Sequence, residues 1–197
     1  MKRARWNRKY SSSELLWTAT PNRFLVAEVA GLEPGRALDL ACGEGRNAVW
    51  LAERGWDVVG VDFAEVGLRK AARLADQRGV EVALVQADLL DYEPERDAFD
   101  LVCILYLQLP EVERRPTLAR ASAAVAPGGT LLLVGHDRTN LERGHGGPDD
   151  PAVLLDPEEV AAELPGLELV KAERVLRPVD GAERPAIDTL VRARRAP

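Results

Sequence analysis

The most legible chemistry in this sequence lies in Asp39-Leu40-Ala41-Cys42-Gly43-Glu44-Gly45-Arg46-Asn47. Ala37 to Leu40 reads as a strand and Gly45 to Arg54 as a helix, so both glycines fall in a strand-to-helix turn. Glycine there lets the chain turn tightly and lets a ligand come close to the backbone. The first amides of the helix lack intrahelical partners and favour an anionic group. Asp62 stands at the end of the second strand, Asp57 to Val61, where a carboxylate can accept both hydroxyls of a ribose. Asp88, in Gln86-Ala87-Asp88-Leu89, follows the third strand and can accept the amino group of an adenine. All three acids fall at carboxyl ends of strands, where open α/β sheets bind ligands. Gly43, Gly45 and Ala48 also fit the Gly-x-Gly-x-x-Ala pattern of dinucleotide enzymes, so that ligand class stays open at this point.

The elements that must position these groups follow from periodicity. A valine-rich second strand leads to an amphipathic helix, Ala64 to Arg78, with Leu68, Ala71, Ala72 and Ala75 at helical spacing. Val80 to Val85 alternates as a third strand. Phe99 to Ile104 is continuously apolar, the pattern of a parallel strand covered on both faces. Glu111 to Val125 reads as a helix that stops at Ala126-Pro127-Gly128-Gly129, and Thr130 to Val134 as the fifth strand. Asp156-Pro157-Glu158-Glu159 is a helix start with an N-cap aspartate, proline in the first turn and acids at the positive dipole end. Leu167 to Leu176 and Ala186 to Ala193 have no helix between them and must form an antiparallel hairpin. The expected fold is therefore α/β, a doubly wound, Rossmann-like, seven-stranded and mostly parallel sheet with a C-terminal antiparallel hairpin. One domain is expected over 1–197, with residues 1–35 as an N-terminal cap and 36–197 as the ligand-binding core.

Composition narrows the function classes. Of 197 residues, 46% are hydrophobic, enough for a real core. The 26 basic and 32 acidic residues give a net charge of −6, unfavourable for general binding to nucleic acid or anionic membrane. Cys42 and Cys103 are the only cysteines, so no disulfide framework is implied. The basic start, Lys2 to Lys9, runs into Tyr10 and serines rather than an apolar stretch, and the longest apolar run, Leu101 to Leu107, is too short to span a bilayer. A cytoplasmic protein without membrane, nucleic-acid or metal partners, monomeric or homodimeric, is the expectation.

The run Asp39-x-x-Cys42-Gly43-x-Gly45, then Asp62, then Asp88, with Pro127-Gly128-Gly129 before the fifth strand, resembles the class I S-adenosylmethionine-dependent methyltransferases. The resemblance extends from about residue 20 to the end. Cys42-Gly43-Glu44-Gly45-Arg46-Asn47 and Gly55-Trp56-Asp57-Val58 look like the tellurite-resistance and thiopurine methyltransferase branch. The resemblance implies S-adenosyl-L-methionine as cofactor and a small-molecule methyl acceptor. It implies that Asp39 meets the cofactor's amino group and that Ala41, Gly43 and Gly45 line its methionine portion, with Asn47 in the same motif. It implies Asp62 on the ribose, Phe63 beside the adenine, Ala87, Asp88 and Leu89 around the adenine edge, and Cys103-Ile104 bordering the sulfonium. In that branch an aromatic N-terminal segment folds over the cofactor, which makes Trp17 the expected cover of the reacting centre.

Two absences sharpen this. The Asn/Asp-Pro-Pro-Tyr of enzymes that methylate exocyclic amines is replaced by Cys103-Ile104-Leu105-Tyr106, and no tyrosine has the Tyr-x-x-x-Lys spacing of short-chain dehydrogenases. Methyl transfer is an in-line displacement in which alignment does most of the work. The acceptor pocket can draw on the cap (Trp6, Tyr10, Trp17, Pro21, Asn22), on His136 as a base after the fifth strand, on a glycine-rich segment from Arg143 to Pro151 that could act as a lid, and on Arg177 and Arg184 of the hairpin. The branch resemblance favours a thiol or a selenium or tellurium oxyanion as acceptor. O-methylation of a natural product and a dinucleotide-dependent oxidoreductase are the alternatives.

Overall fold

The computed structural model describes residues 3–11, 15 and 18–197. In chain order the elements are α1 (Arg3–Ser11), α2 (Arg23–Val29), β1 (Arg36–Leu40), α3 (Arg46–Ala52), β2 (Asp57–Asp62), α4 (Glu65–Arg78), β3 (Ala83–Gln86), β4 (Phe99–Leu105), α5 (Glu111–Ala124), β5 (Val125–His136), α6 (Asn140–Arg143), α7 (Pro157–Ala162), β6 (Glu168–Arg177) and β7 (Ala186–Arg194). The strands form one seven-stranded sheet in the order β3-β2-β1-β4-β5-β7-β6. Only β7 runs against its neighbours, because the β6–β7 hairpin inserts its second strand beside β5. The order reverses between β1 and β4, both parallel, which opens a crevice above their carboxyl ends.

The core divides by strand alternation. Val102 and Ile104 of β4 point to one face with Leu38, Leu131, Leu133 and Leu118. Leu101, Cys103 and Leu105 point to the other, with Leu132, Val134, Trp50, Leu51 and Leu25 of α2. Burial on both faces is what the unbroken apolar run of β4 required. Asn22 starts α2 by accepting the Phe24 and Leu25 amides, and its own amide donates to Asn47 Oδ1 at 2.8 Å, tying the cap to the glycine turn. Asp156 caps α7 as its sequence suggests, accepting the Glu158 and Glu159 amides.

Three elements differ from the sequence expectation. The third strand begins at Ala83, not Val80, because the Val80 amide is spent on the Ala75 carbonyl at the end of α4. The Pro127-Gly128-Gly129 run does not stop the chain ahead of the fifth strand; it lies within β5, where the register with β4 shifts between Phe99 and Leu101. A bulge tolerates the missing proline amide. The cap holds a helix, α1, in a stretch with no apolar face of its own. It forms against α4, with Tyr10 buried and stacked on Trp6 at 5.6 Å.

Candidate functional site

One cavity of about 550 Å³ opens over the carboxyl ends of β1 and β4. Ala41, Cys42, Gly43, Glu44, Arg46 and Asn47 of the turn line one side, Asp62 and Phe63 the floor beside them, and Tyr106, His136 and Arg177 the far wall. The size lies in the range of small-molecule and cofactor sites.

The turn has to be strained to make this opening. Gly43 has φ 56°, and a Cβ there would come within 2.7 Å of the Tyr10 hydroxyl. Gly45 has φ 79°, and a Cβ there would meet the Ala71 Cβ at 2.6 Å. Gly45 thus allows α3 to approach α4 and does not itself line the cavity. Ala41 adopts φ 63° although it carries a side chain, a strain that concentrates at sites where geometry outranks stability. Ala41→Gly should therefore raise the urea unfolding midpoint, by about 1 kcal/mol of added stability. An unchanged or lower midpoint would show that the surrounding fold carries no strain at this position.

The acids differ in environment. Asp62 is buried; its Oδ2 accepts the Gly43 amide at 2.9 Å and its Oδ1 the Ala64 amide at 2.8 Å. Each oxygen keeps a second lone pair, and burial raises its pKa against the lowering effect of those amides. Asp39 is 1% exposed, and among the described residues neither carboxylate oxygen completes a hydrogen bond. Burial, with Asp62 nearby, lifts its pKa to about 7, while Arg46 and the Ala48 amide pull the other way. Arg46 itself is half-buried on the cavity wall, and burial lowers its pKa despite the pull of Tyr106, Asp39 and Glu44. Among the described residues no hydrogen bond or ion pair holds it. Asp39 and Arg46 are thus an unpartnered acid and base set near each other under the turn.

The remaining sequence candidates are placed as follows. Trp6, Tyr10, Pro21 and Asn22 line the cavity; Trp17 lies outside the described residues. Cys103 and Ile104 are sealed in the core on opposite faces of β4, and the next residues, Leu105 and Tyr106, reach the cavity instead. Ala87, Asp88 and Leu89 do not line it. Leu89 packs into the core, and Asp88 is turned into its own loop, where Oδ1 accepts the Leu90 amide at 3.1 Å. Arg184 lies on the surface in the hairpin loop, its guanidinium on the Glu142 carbonyl, while Arg177 at the end of β6 reaches the cavity. The difference is position on the hairpin: Arg177 stands at the paired end of β6, Arg184 beyond it in the loop. Gly147 of the glycine-rich segment packs on His136, and Asn140 ties that segment to β7 by donating to the Gly146 carbonyl and accepting the Ile187 amide.

Residues 37–129 match the family model described as a methyltransferase domain. From β1 into β5 the chain is thus similar to a methyltransferase domain. The chain is 40% identical to a demethylmenaquinone methyltransferase of Thermus thermophilus over 103 residues, 51% of this chain and 47% of that protein. It thus spans about half the length of the curated relatives it matches. A solved structure described by the conversion of a disulfide bond into a thioacetal group during echinomycin biosynthesis aligns with TM-score 0.77 and 23% identity, covering 98% of this chain and 92% of that one. The 1,6-didemethyltoxoflavin-N1-methyltransferase of Burkholderia thailandensis aligns with TM-score 0.74 and 22% identity, covering 99% and 87%, and was solved with 1,6-didemethyltoxoflavin and S-adenosylhomocysteine bound. The cofactor of such a methyltransferase domain is S-adenosylmethionine. The matched residues include the turn, Asp62 and Phe63, which line the cavity, and Asp39, which is buried and does not line it. Within the methyltransferase fold the similarity does not single out the tellurite-resistance and thiopurine branch.

Proposed function

We propose that this chain transfers a methyl group from S-adenosylmethionine to a small-molecule acceptor bound in the same cavity. The observation that carries this reading is continuity: the glycine turn and Asp62 of the methyltransferase domain open onto a single cavity that continues to His136 and Arg177. The residues present fit the cofactor. Asp62 has lone pairs left for two ribose hydroxyls, and Phe63 offers an apolar face to the adenine. The unpartnered Asp39 suits an ammonium and the unpartnered Arg46 a carboxylate, so the pair fits the zwitterionic end of an amino acid. Ala41, Gly43 and Asn47 would border that end. Asp88 keeps one carboxylate oxygen outside its own turn to take an adenine amine beside Ala87 and Leu89, and Cys103 and Ile104 would support the reacting centre from within β4.

The cofactor supplies an electrophilic methyl on a sulfonium that leaves as a neutral thioether. The chain aligns the two reactants, keeps water out with Trp6, Tyr10 and Tyr106, and places His136 and Arg177 on the acceptor side. A thiol or a selenium or tellurium oxyanion as acceptor is favoured by the branch resemblance alone. Demethylmenaquinone and 1,6-didemethyltoxoflavin are named for the similar proteins, and flat ring molecules suit a cavity lined by Trp6, Tyr10, Phe63 and Tyr106.

Titration calorimetry tests the reading. S-adenosylhomocysteine should bind at micromolar Kd, about −8 kcal/mol, and NAD should give no heat. Release of labelled methyl to a panel of small acceptors then reports activity. Binding of NAD with no response to the sulfonium nucleoside would make this an oxidoreductase instead.

A further inference from the structure

The far wall of the cavity contains a group of side chains that no local motif announces. Tyr106 follows β4, His136 ends β5, Arg177 ends β6 and Asp188 lies in β7, all at one end of neighbouring strands. Asp188 is fully buried. Its Oδ2 accepts the Tyr106 hydroxyl at 2.8 Å and Arg177 Nε at 2.7 Å. Its Oδ1 faces His136 Nδ1 at 3.4 Å, and among the described residues neither atom has another partner. Orphaned buried polar atoms that face each other across such a gap are rare in a resting core and common where a bond tightens during function. The backbone around His136 is clamped on both sides: its carbonyl accepts the Leu155 amide, and the next amide, of Asp137, donates to Ile187. The ring is held between Tyr106, with centroids 4.9 Å apart, and Gly147, where a Cβ would come within 3.0 Å of Nδ1. With Nδ1 turned to Asp188, the imidazole meets the cavity with its Nε2 edge.

We propose, on the methyltransferase reading above, that His136 is the base that takes the acceptor's proton, that Asp188 positions it, and that the acceptor is a small phenolic hydroxyl compound. The phenol's O–H bond breaks to His136 Nε2 while an oxygen lone pair forms the O–CH₃ bond. The C–S bond of the sulfonium breaks with its electron pair going to sulfur. The products are a methyl ether, a neutral thioether and an imidazolium, which keeps its Nδ1–H toward Asp188 Oδ1 until the Nε2 proton passes to water. A thiolate or oxyanion acceptor needs no such base. Nor does this wall offer it net positive charge, since Asp188 cancels Arg177. Among the described residues, the charged and titratable groups joined to the imidazole by contact are Asp188 of β7 and, through it, Arg177 of β6 and the Tyr106 hydroxyl. Burial opposes the Asp188 charge, but the contacts from His136, Arg177 and Tyr106 outweigh it and hold the carboxyl below its ordinary value. Burial beside Asp188 pushes the Tyr106 hydroxyl well up, so it remains a donor.

The test uses the full chain. In ¹⁵N-histidine-labelled protein there are only two imidazoles to assign, His136 and His145. His136 should show the Nδ1–H tautomer, and Asp188→Asn should shift it toward Nε2–H. His136→Gln should bind S-adenosylhomocysteine within twofold of wild type. It should lose about 10²–10⁴-fold in kcat for methyl transfer to a panel of catechols and naphthols, with KM little changed. The rising limb of kcat with pH should move to the pH at which the free phenol ionises. An unaltered kcat in His136→Gln, methylation of thiophenols in preference to phenols, or a tautomer indifferent to Asp188→Asn would overturn the proposal. The tautomer measurement needs no acceptor, and a tautomer indifferent to Asp188→Asn overturns the proposal even where no panel member is methylated. Failure of wild type to bind S-adenosylhomocysteine would instead overturn the methyltransferase reading on which this rests.

Discussion

Asp39→Asn should make the protein without cofactor more stable above pH 7 and at the same time abolish the pH dependence of its cofactor binding. In the folded chain the Asp39 carboxyl titrates at about 7, against an ordinary value of 3.8, first because burial disfavours its charge and second because Asp62 lies near. Between these values the folded protein holds a proton that the unfolded chain has released. Stability from this group is therefore fully present below about pH 4 and lost as pH rises through 7. Removing the ionisable group removes that loss, which amounts to roughly 2–4 kcal/mol at pH 8 for a shift of this size. Urea unfolding of wild type and variant at pH 5 and pH 8 measures it as a difference.

The same proton governs ligand binding. If Asp39 faces the ammonium of the cofactor, binding requires its carboxylate. Affinity for S-adenosylhomocysteine should then tighten up to about tenfold between pH 6 and 7.5. In Asp39→Asn the rise should be gone and affinity at pH 7.5 lower than wild type. A variant with wild-type affinity and the same pH profile would remove Asp39 from the cofactor site. The acid is costly to the empty fold, which is the expected signature of a group placed for a ligand and not for packing.

The second large effect concerns Asp62. Asp62→Asn should weaken S-adenosylhomocysteine binding by about tenfold to a hundredfold, or roughly 1–3 kcal/mol, by losing the charged acceptor for the ribose hydroxyls. The amides of Gly43 and Ala64 each bond to a different oxygen of Asp62, so asparagine, which keeps an acceptor for one of them, is preferred to alanine, which would leave both unpaired in a buried turn. A 2′,3′-dideoxy analogue of the ligand separates the ribose contact from damage to the turn. Wild type should discriminate against the analogue by tenfold or more, and Asp62→Asn should scarcely do so. Equal discrimination by both proteins would assign Asp62 to the turn alone.

Local sequence carried much of this site because the relevant physics is local. A strand, a turn that demands left-handed backbone at Gly43 and Gly45, and a helix occupy consecutive residues, and period and glycine placement reveal them without tertiary information. The same holds for Asp62 at the end of a valine-rich strand and for the Asp156 cap. Sequence also made the closing hairpin antiparallel, because no crossover helix separates its strands. Where side chains of distant segments meet, the chain order is silent. Tyr106 and Asp188 bond across 82 positions, and only the insertion of β7 beside β5 brings Asp188 against His136. The choice of Arg177 over Arg184, the turning of Asp88 into its own loop, and the helix α1 that exists by packing on α4 were likewise decided by strand order and burial. The sequence alone determined a nucleotide-sized turn flanked by acids; the folded sheet determined which side chains stand opposite it, because contact between strand ends depends on their spatial order and not on their distance along the chain.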